Sequence, residues 1–151
     1  MARKSAHTPN SKIQFTIPGQ PVQWKAPAFS KRGTYSTQGI EKANYEAYID
    51  LQMQWNPIEG PLEVIYRYFL RRPIGHYGSG KNSGTIRQSA PIYPIVKKLD
   101  IDNLDKWVSD RMNKIVYLDD SQIIRKFSER LYSNSGNPRT EITVSLIEEG
   151  K

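Results

Sequence analysis

The chain of 151 residues contains no cysteine. That excludes disulfides, thiolate nucleophiles and Cys-ligated zinc. It has only two histidines, His7 and His76, too few and too scattered for a histidine-rich metal centre. No apolar run approaches the roughly 20 residues needed to span a bilayer. The opening MARKSAHTPNSK is basic but has no apolar segment behind it, so it does not read as a secretory signal. A cytoplasmic protein is expected, with residues 1–11 as a disordered basic arm. There is no P-loop, no GxSxG elbow and no zinc-ligand spacing. Acid is also missing from long tracts. Residues 1–40 hold six Lys or Arg and no Asp or Glu, and residues 64–99 hold seven bases and again no acid.

All fifteen acids therefore lie in 41–63 and 100–151, in a chain of net charge +7. A basic balance points to an anionic partner, with nucleic acid as the default. The candidate phosphate contacts are Lys25, Lys31 and Arg32 in the first tract and Arg71, Arg72, Lys97 and Lys98 in the second. The length suits one domain, 12–151, with a core that hides about two-thirds of the unfolded surface.

Along the chain, KIQFTI at 12–17 reads as a strand, closed by the turn signal PGQP. Residues 21–38 are irregular, basic and aromatic. The stretch 40–55 reads as a helix with Ile40, Ala43, Ala47 and Leu51 on its apolar face. LEVIYRYFL at 62–70 is a strand rich in β-branched and aromatic residues. Four Gly and three Pro make 71–96 a long loop, and the basic, Gly-rich 71–98 segment is expected to be mobile until a ligand orders it. Residues 103–115 form a second helix with Leu104, Val108, Met112 and Ile115 as its apolar stripe. Asp102, Lys106 and Asp110 follow at four-residue steps on the opposite face. Residues 122–131 and 140–147 read as strands joined through NSGNP as a hairpin-like connection. The tally is about four strands and two main helices: an α/β or α+β fold with a mixed sheet and helices packed on it.

Two places in this basic chain gather carboxylates. KKLDIDNLDK at 97–106 carries Asp100, Asp102 and Asp105, and YLDDSQI at 117–123 carries Asp119 and Asp120. If the chain is extended at 100–102, Asp100 and Asp102 point to one side. Asp102, just before the helix, is also where a carboxylate would cap free N–H groups. Capping accounts for one Asp, not for both clusters. They converge if the strand after YLDDS runs back along the helix, pairing beside 62–70. Converging carboxylates suit Mg²⁺, a hard ion that takes oxygen ligands and keeps waters for phosphate chemistry. Lys106, one turn after Asp102, faces the same side as a compact cation for a phosphate. Its bland reading is a helical salt bridge worth a few tenths of a kcal/mol. Asp110 is expected to be structural or supporting, and Asp105 to face solvent. DIDNLD is not a calcium loop, because the fifth, sixth and twelfth positions hold Leu104, Asp105 and Arg111.

DIDNLDKWVSDRMNKIVYLDDSQI resembles the signature of RusA-type Holliday-junction resolvases: Asp-x-Asp-Asn-Leu, a Lys two positions on, an Asp within the helix, then an Asp-Asp-(Ser/Ala)-Gln-(Ile/Val) turn. FTIPGQPVQWK and the Tyr45-Glu46 pair are similar to the family's opening. The resemblance implies a Mg²⁺-dependent endodeoxyribonuclease, with Mn²⁺ able to substitute. It implies a homodimer that nicks four-way junctions symmetrically in DNA recombination and repair, with no small-molecule cofactor and no membrane. Carried over by position, the metal-binding carboxylates are Asp100, Asp102 and Asp120, with Asp119 auxiliary, and the catalytic lysine is Lys106. Leu99 stands where the family often has Pro, and Trp107 where a small residue is common; neither removes a ligand. The alternative class is a non-catalytic nucleic-acid-binding module. There the basic residues hold phosphates, Trp24, Phe29 and Tyr35 stack on bases, and the acids only cap and turn.

Overall fold

In the computed structural model, residues 12–35, 37–134 and 136–148 are described. The expected arm at 1–11 lies outside them. Eight elements follow in order: β1 (Ile13–Pro18), β2 (Ala28–Ser30), β3 (Gly33–Tyr35), α1 (Gly39–Gln52), β4 (Leu62–Leu70), α2 (Ile101–Met112), β5 (Ile123–Tyr132) and β6 (Arg139–Leu146). Four strands form one mixed sheet in the order β1-β6-β4-β5, and β2 and β3 form a separate small hairpin. Only β4 and β5 are parallel. The fold is α+β. None of the helices among the described residues is long and apolar enough to cross a membrane.

Alternation along the strands sorts the two faces of the sheet. Ile13, Phe15 and Ile17 of β1, Leu62, Val64, Tyr66, Tyr68 and Leu70 of β4, and Ile142 and Val144 of β6 are all buried. They meet Tyr45 and Ile49 of α1 and Leu104, Trp107, Val108 and Met112 of α2 in one core. Trp107 packs edge-on to Tyr45, ring centres 5.8 Å apart, which fills the space between the helices. The other face carries cross-strand ion pairs, Arg67 with Glu129 and Arg125 with Glu63, beside the apolar Ile65 and Phe69.

Three expectations change. First, α1 buries Tyr45 and Ile49, while Ile40 and Leu51 stay 79% and 82% exposed. Two large side chains one turn apart outweigh a stripe that contains two alanines. Second, the strands around NSGNP do not pair with each other. β4 lies between them, parallel to β5 and antiparallel to β6. Third, α2 begins at Ile101, two residues earlier than the apolar period suggested.

The 71–98 segment contains two short 3₁₀ turns, Ile74–His76 and Gly80–Asn82. An isolated bridge joins Tyr77 to Ile86. Gly78 is needed there, since a Cβ would lie 2.6 Å from the Cβ of Asn82. Arg72, expected among the phosphate contacts, is instead only 6% exposed. Its guanidinium donates to the Pro91 carbonyl (2.7 Å) and the Asn134 side chain (2.7 Å) and lies over the Tyr132 ring. It staples the loop to the sheet.

The tyrosines set an alkaline limit on stability. Burial raises the phenols of Tyr45, Tyr66, Tyr68 and Tyr117 above their ordinary 10.0. Near pH 10 the unfolded chain loses these protons while the folded one keeps them, so the folded state binds more protons. This stability is fully present below pH 10 and is lost as pH rises through the folded values. Thermal unfolding at pH 8, 10 and 11 should show a steepening fall in midpoint above pH 10. Tyrosinate absorbance should appear in two stages, the second coinciding with unfolding. Complete titration of all nine tyrosines in the folded protein near pH 10 would contradict the burial argument.

Candidate active site

Helix α2 is started by Asp100, not Asp102. Asp100 has extended backbone and its carboxylate accepts from the Asn103 N–H (3.2 Å) and the Asn103 side-chain amide (3.1 Å). The residue before it, Leu99, has φ of +58°, a left-handed value that proline cannot adopt. The surroundings hold Leu99 there. Its N–H donates to Gln23 (3.1 Å), and Arg130 of β5 donates to its carbonyl (3.1 Å). The irregular 22–25 stretch is stitched to the same place through the Trp24 N–H and the Asn103 carbonyl (2.9 Å). Because the helix starts at Ile101, Asp100 and Asp102 are not neighbours on one face of an extended chain.

Asp102 lies in the first turn of α2. Together with Asp105, Lys106, Ser109 and Asp110 it lines one wall of an open groove of about 380 Å³, and Asp120, Ile123 and Lys126 line the other. The return of β5 beside β4 brings these walls together, as the sequence allowed. Asp100 and Asp119 are not in the lining. Asp119 caps the 3₁₀ turn Asp120–Gln122 by accepting from the Ser121 N–H (2.9 Å). Hydrogen bonds from Ser121 hold its carboxyl below the usual range, and Lys114 adds to the effect. Gln122 completes the box and donates to the carbonyls of Ile58 (2.8 Å) and Gly60 (3.0 Å). This fixes Asp120 at the foot of β5.

Tyr66 forms the groove floor, its hydroxyl 2.7 Å from that of Ser109. Burial raises its phenol, and the charges of Asp105 and Asp120 push it further. Lys106 is exposed, with its ammonium 3.6 Å from the centre of the Trp24 ring. The ring face attracts the cation without neutralising it. Lys106 thus takes one face of the Trp24 ring. Lys25, Lys31, Arg32, Arg71, Lys97 and Lys98 are exposed. Phe29, on the β2–β3 hairpin with Lys31 and Arg32 at its tip, is 85% exposed.

Asp105 does not face solvent. Only 3% of its side chain is exposed. It accepts from the Tyr68 hydroxyl (2.6 Å) on one oxygen and from Ser128 (2.6 Å) and Lys126 (2.9 Å) on the other. Three donors compensate the cost of burying the charge. A signal was present: Asp105 stands three residues before Val108 and seven before Met112, on the buried arc of the helix. Its partners, 21 to 37 residues away, had no local signal.

Asp102 and Asp110 lie eight residues apart, about 12 Å along the helix. The carboxylates are therefore strung along the groove. Among the described residues no three His, Cys, Asp or Glu side chains are gathered in a ready-made metal cage. The groove nonetheless fits a hard divalent ion. Four lining carboxylates face two lysines, leaving about the negative charge that one such ion neutralises. Mg²⁺ commonly uses one or two carboxylates and keeps its waters.

An α+β domain with an acidic groove between a helix and the strand that returns beside it defines a class of oxygen-donor site suited to phosphate chemistry. Residues 18–145 match the family described as Endodeoxyribonuclease RusA, and the chain belongs to that family. Membership makes it an endodeoxyribonuclease. The chain is also similar to the uncharacterized protein YqaN of Bacillus subtilis (strain 168). The two are 29% identical over 141 residues, covering 89% of this chain and 96% of the relative.

Proposed function

We propose that the protein is a Mg²⁺-dependent endonuclease that resolves four-way DNA junctions by paired, symmetric nicks, acting as a homodimer in the cytoplasm of a bacterial or phage-infected cell. The observation that carries the reading is the shared groove: Asp102, Lys106 and Asp120, far apart in sequence, line one open site. A junction has two-fold symmetry, so a two-fold dimer presents two equivalent grooves to it.

Asp102 and Asp120 would hold the ion, with Asp119 as auxiliary and Asp100, at the N-terminus of α2, as a further ligand. When bound, Mg²⁺ polarises the scissile phosphate and supplies an activated water. Lys106, kept extended along the Trp24 face, offsets charge on the phosphate oxygens. The exposed lysines and arginines of the acid-free tracts bring the DNA in. A second reading, a binding module without catalysis, draws on the capping roles of Asp100 and Asp119 and on the exposed, basic β2–β3 hairpin.

Cleavage of a labelled four-way junction beside a linear duplex of the same sequence separates the two. Paired nicks in the junction alone, with Mg²⁺ and not with EDTA, are expected. Tight junction binding with no cleavage under Mg²⁺ or Mn²⁺ would transfer the chain to the binding-module class.

A further inference from the structure

Lys126 lines the groove on the β5 side. β5 alternates, so Lys126, Ser128 and Arg130 share one face. All three reach towards α2 and the segment before it. Lys126 and Ser128 bond the same oxygen of Asp105, and Arg130 donates to the carbonyls of Val96, Lys98 and Leu99 at 3.1 to 3.3 Å. The ion pair is lopsided. Asp105 is 3% exposed and Lys126 50% exposed at the side chain. The acid is fixed inside, and the ammonium stands at the groove surface.

A strut between α2 and β5 explains the buried acid and its hydroxyl donors, but not the half-exposed ammonium. A half-exposed ion pair contributes about 0–1 kcal/mol, and Tyr68 and Ser128 already satisfy Asp105 from two sides. An apolar residue could cover that wall. An ammonium has three N–H donors, and Asp105 takes one of them. The remainder are available at the mouth of a groove whose opposite wall carries Lys106. The two lysines are restrained by different means, one by an aromatic face and one by a buried carboxylate. Restraint lowers the side-chain entropy lost when a ligand is gripped.

We propose that Lys126 is a second phosphate-binding cation of this site, held in place by Asp105 of the facing helix and gripping a DNA phosphate together with Lys106. The proposal rests on the nuclease reading and deepens it. The contact is a ground-state one, to a phosphate beside the scissile one, so it governs binding more than turnover.

The test compares the parent with Lys126→Met, Lys126→Arg and Ser128→Ala. Junction affinity is measured in the absence of divalent ions at 50 to 200 mM salt, and cleavage with Mg²⁺. Losing one phosphate contact reduces the slope of log affinity against log salt by about 0.9. Lys126→Met should therefore bind several-fold more weakly at 50 mM salt, a gap that narrows about 3.5-fold by 200 mM. KM should rise and kcat stay within about twofold. Lys126→Arg should restore the slope. Ser128→Ala removes a bond to Asp105 without removing a cation, so it should lower the melting temperature and leave the slope alone. An unchanged slope in Lys126→Met with a lowered melting temperature makes Lys126 a strut and overturns the proposal. A fall in kcat at unchanged affinity overturns it too. Failure of the nuclease reading is distinct, because the parent itself would then not cleave.

Discussion

Asp102→Asn is expected to reduce junction cleavage on the order of a thousandfold, the scale of losing a main charge-stabilising group, and to leave junction binding intact. Asn matches Asp in size, and Asp102 is an exposed residue in the first turn of α2, away from the core. Folding should lose only the favourable interaction of a carboxylate with the helix N-terminus, about 0.3–1 kcal/mol. Removing a negative charge from the groove also relieves repulsion of DNA, so affinity should hold or rise. Asp120→Asn should behave alike from the opposite wall. Asp100→Asn differs, because Asn is itself a good cap, and any loss of cleavage there would report a role beyond starting the helix. Single-turnover cleavage and gel-shift binding on the same junction make the comparison. Full-rate cleavage by Asp102→Asn would sink its assignment as a metal ligand.

Asp105→Ala should destabilise the fold by about 3 kcal/mol. Removing one partner of a buried ion pair costs about 3–5 kcal/mol when both are buried. Here Lys126 can re-enter water, which lowers the figure, but the hydroxyls of Tyr68 and Ser128 lose their acceptor. Each stranded buried donor adds about 1–3 kcal/mol. In a domain of this size that corresponds to a melting temperature lower by roughly 6–12 °C. Asp105→Asn keeps one acceptor oxygen and should lose about half as much. Urea unfolding with an unchanged slope and a lower midpoint gives the measurement. A shift under 1 kcal/mol for the alanine variant would show that the network is not what joins α2 to β5.

The parts of this architecture that were legible in sequence are those with strong period or strong turn chemistry. β4 appears at 62–70 because nine residues alternate on a buried face with no interruption. The α2 stripe of Leu104, Val108 and Met112 is equally plain. Its start was displaced because Asp100 and Asp102 are equally good caps by composition, and only the path of Leu99 decides between them. The buried face of α1 is not legible because the helix has few large apolar residues, so tertiary packing rather than pattern selects Tyr45 and Ile49. Strand order was legible only in part. That β5 could lie beside β4 followed from the need to return the second acid cluster to the first. That β6 would insert on the other side of β4 had no local signal, since pairing is settled between strands far apart. Asp105 shows the remaining limit: an acidic residue on an apolar arc is ambiguous until its donors are known.

The sheet order also dictates when the groove can exist. β1 pairs with β6, joining Ile13 to Val144, and β4 meets β5 through pairs such as Glu63 with Arg125, 62 residues apart. Few of these contacts are local, so loop closure must precede most of the stabilisation, the regime of slow folding. During synthesis β1 waits for the last described strand before it has any partner in the sheet. The two acid clusters stay separate until β5 has emerged and docked. A nascent chain would thus carry its basic, DNA-attracting segments long before it carried a site able to cut, and strand-breaking capacity would arrive only with the finished sheet.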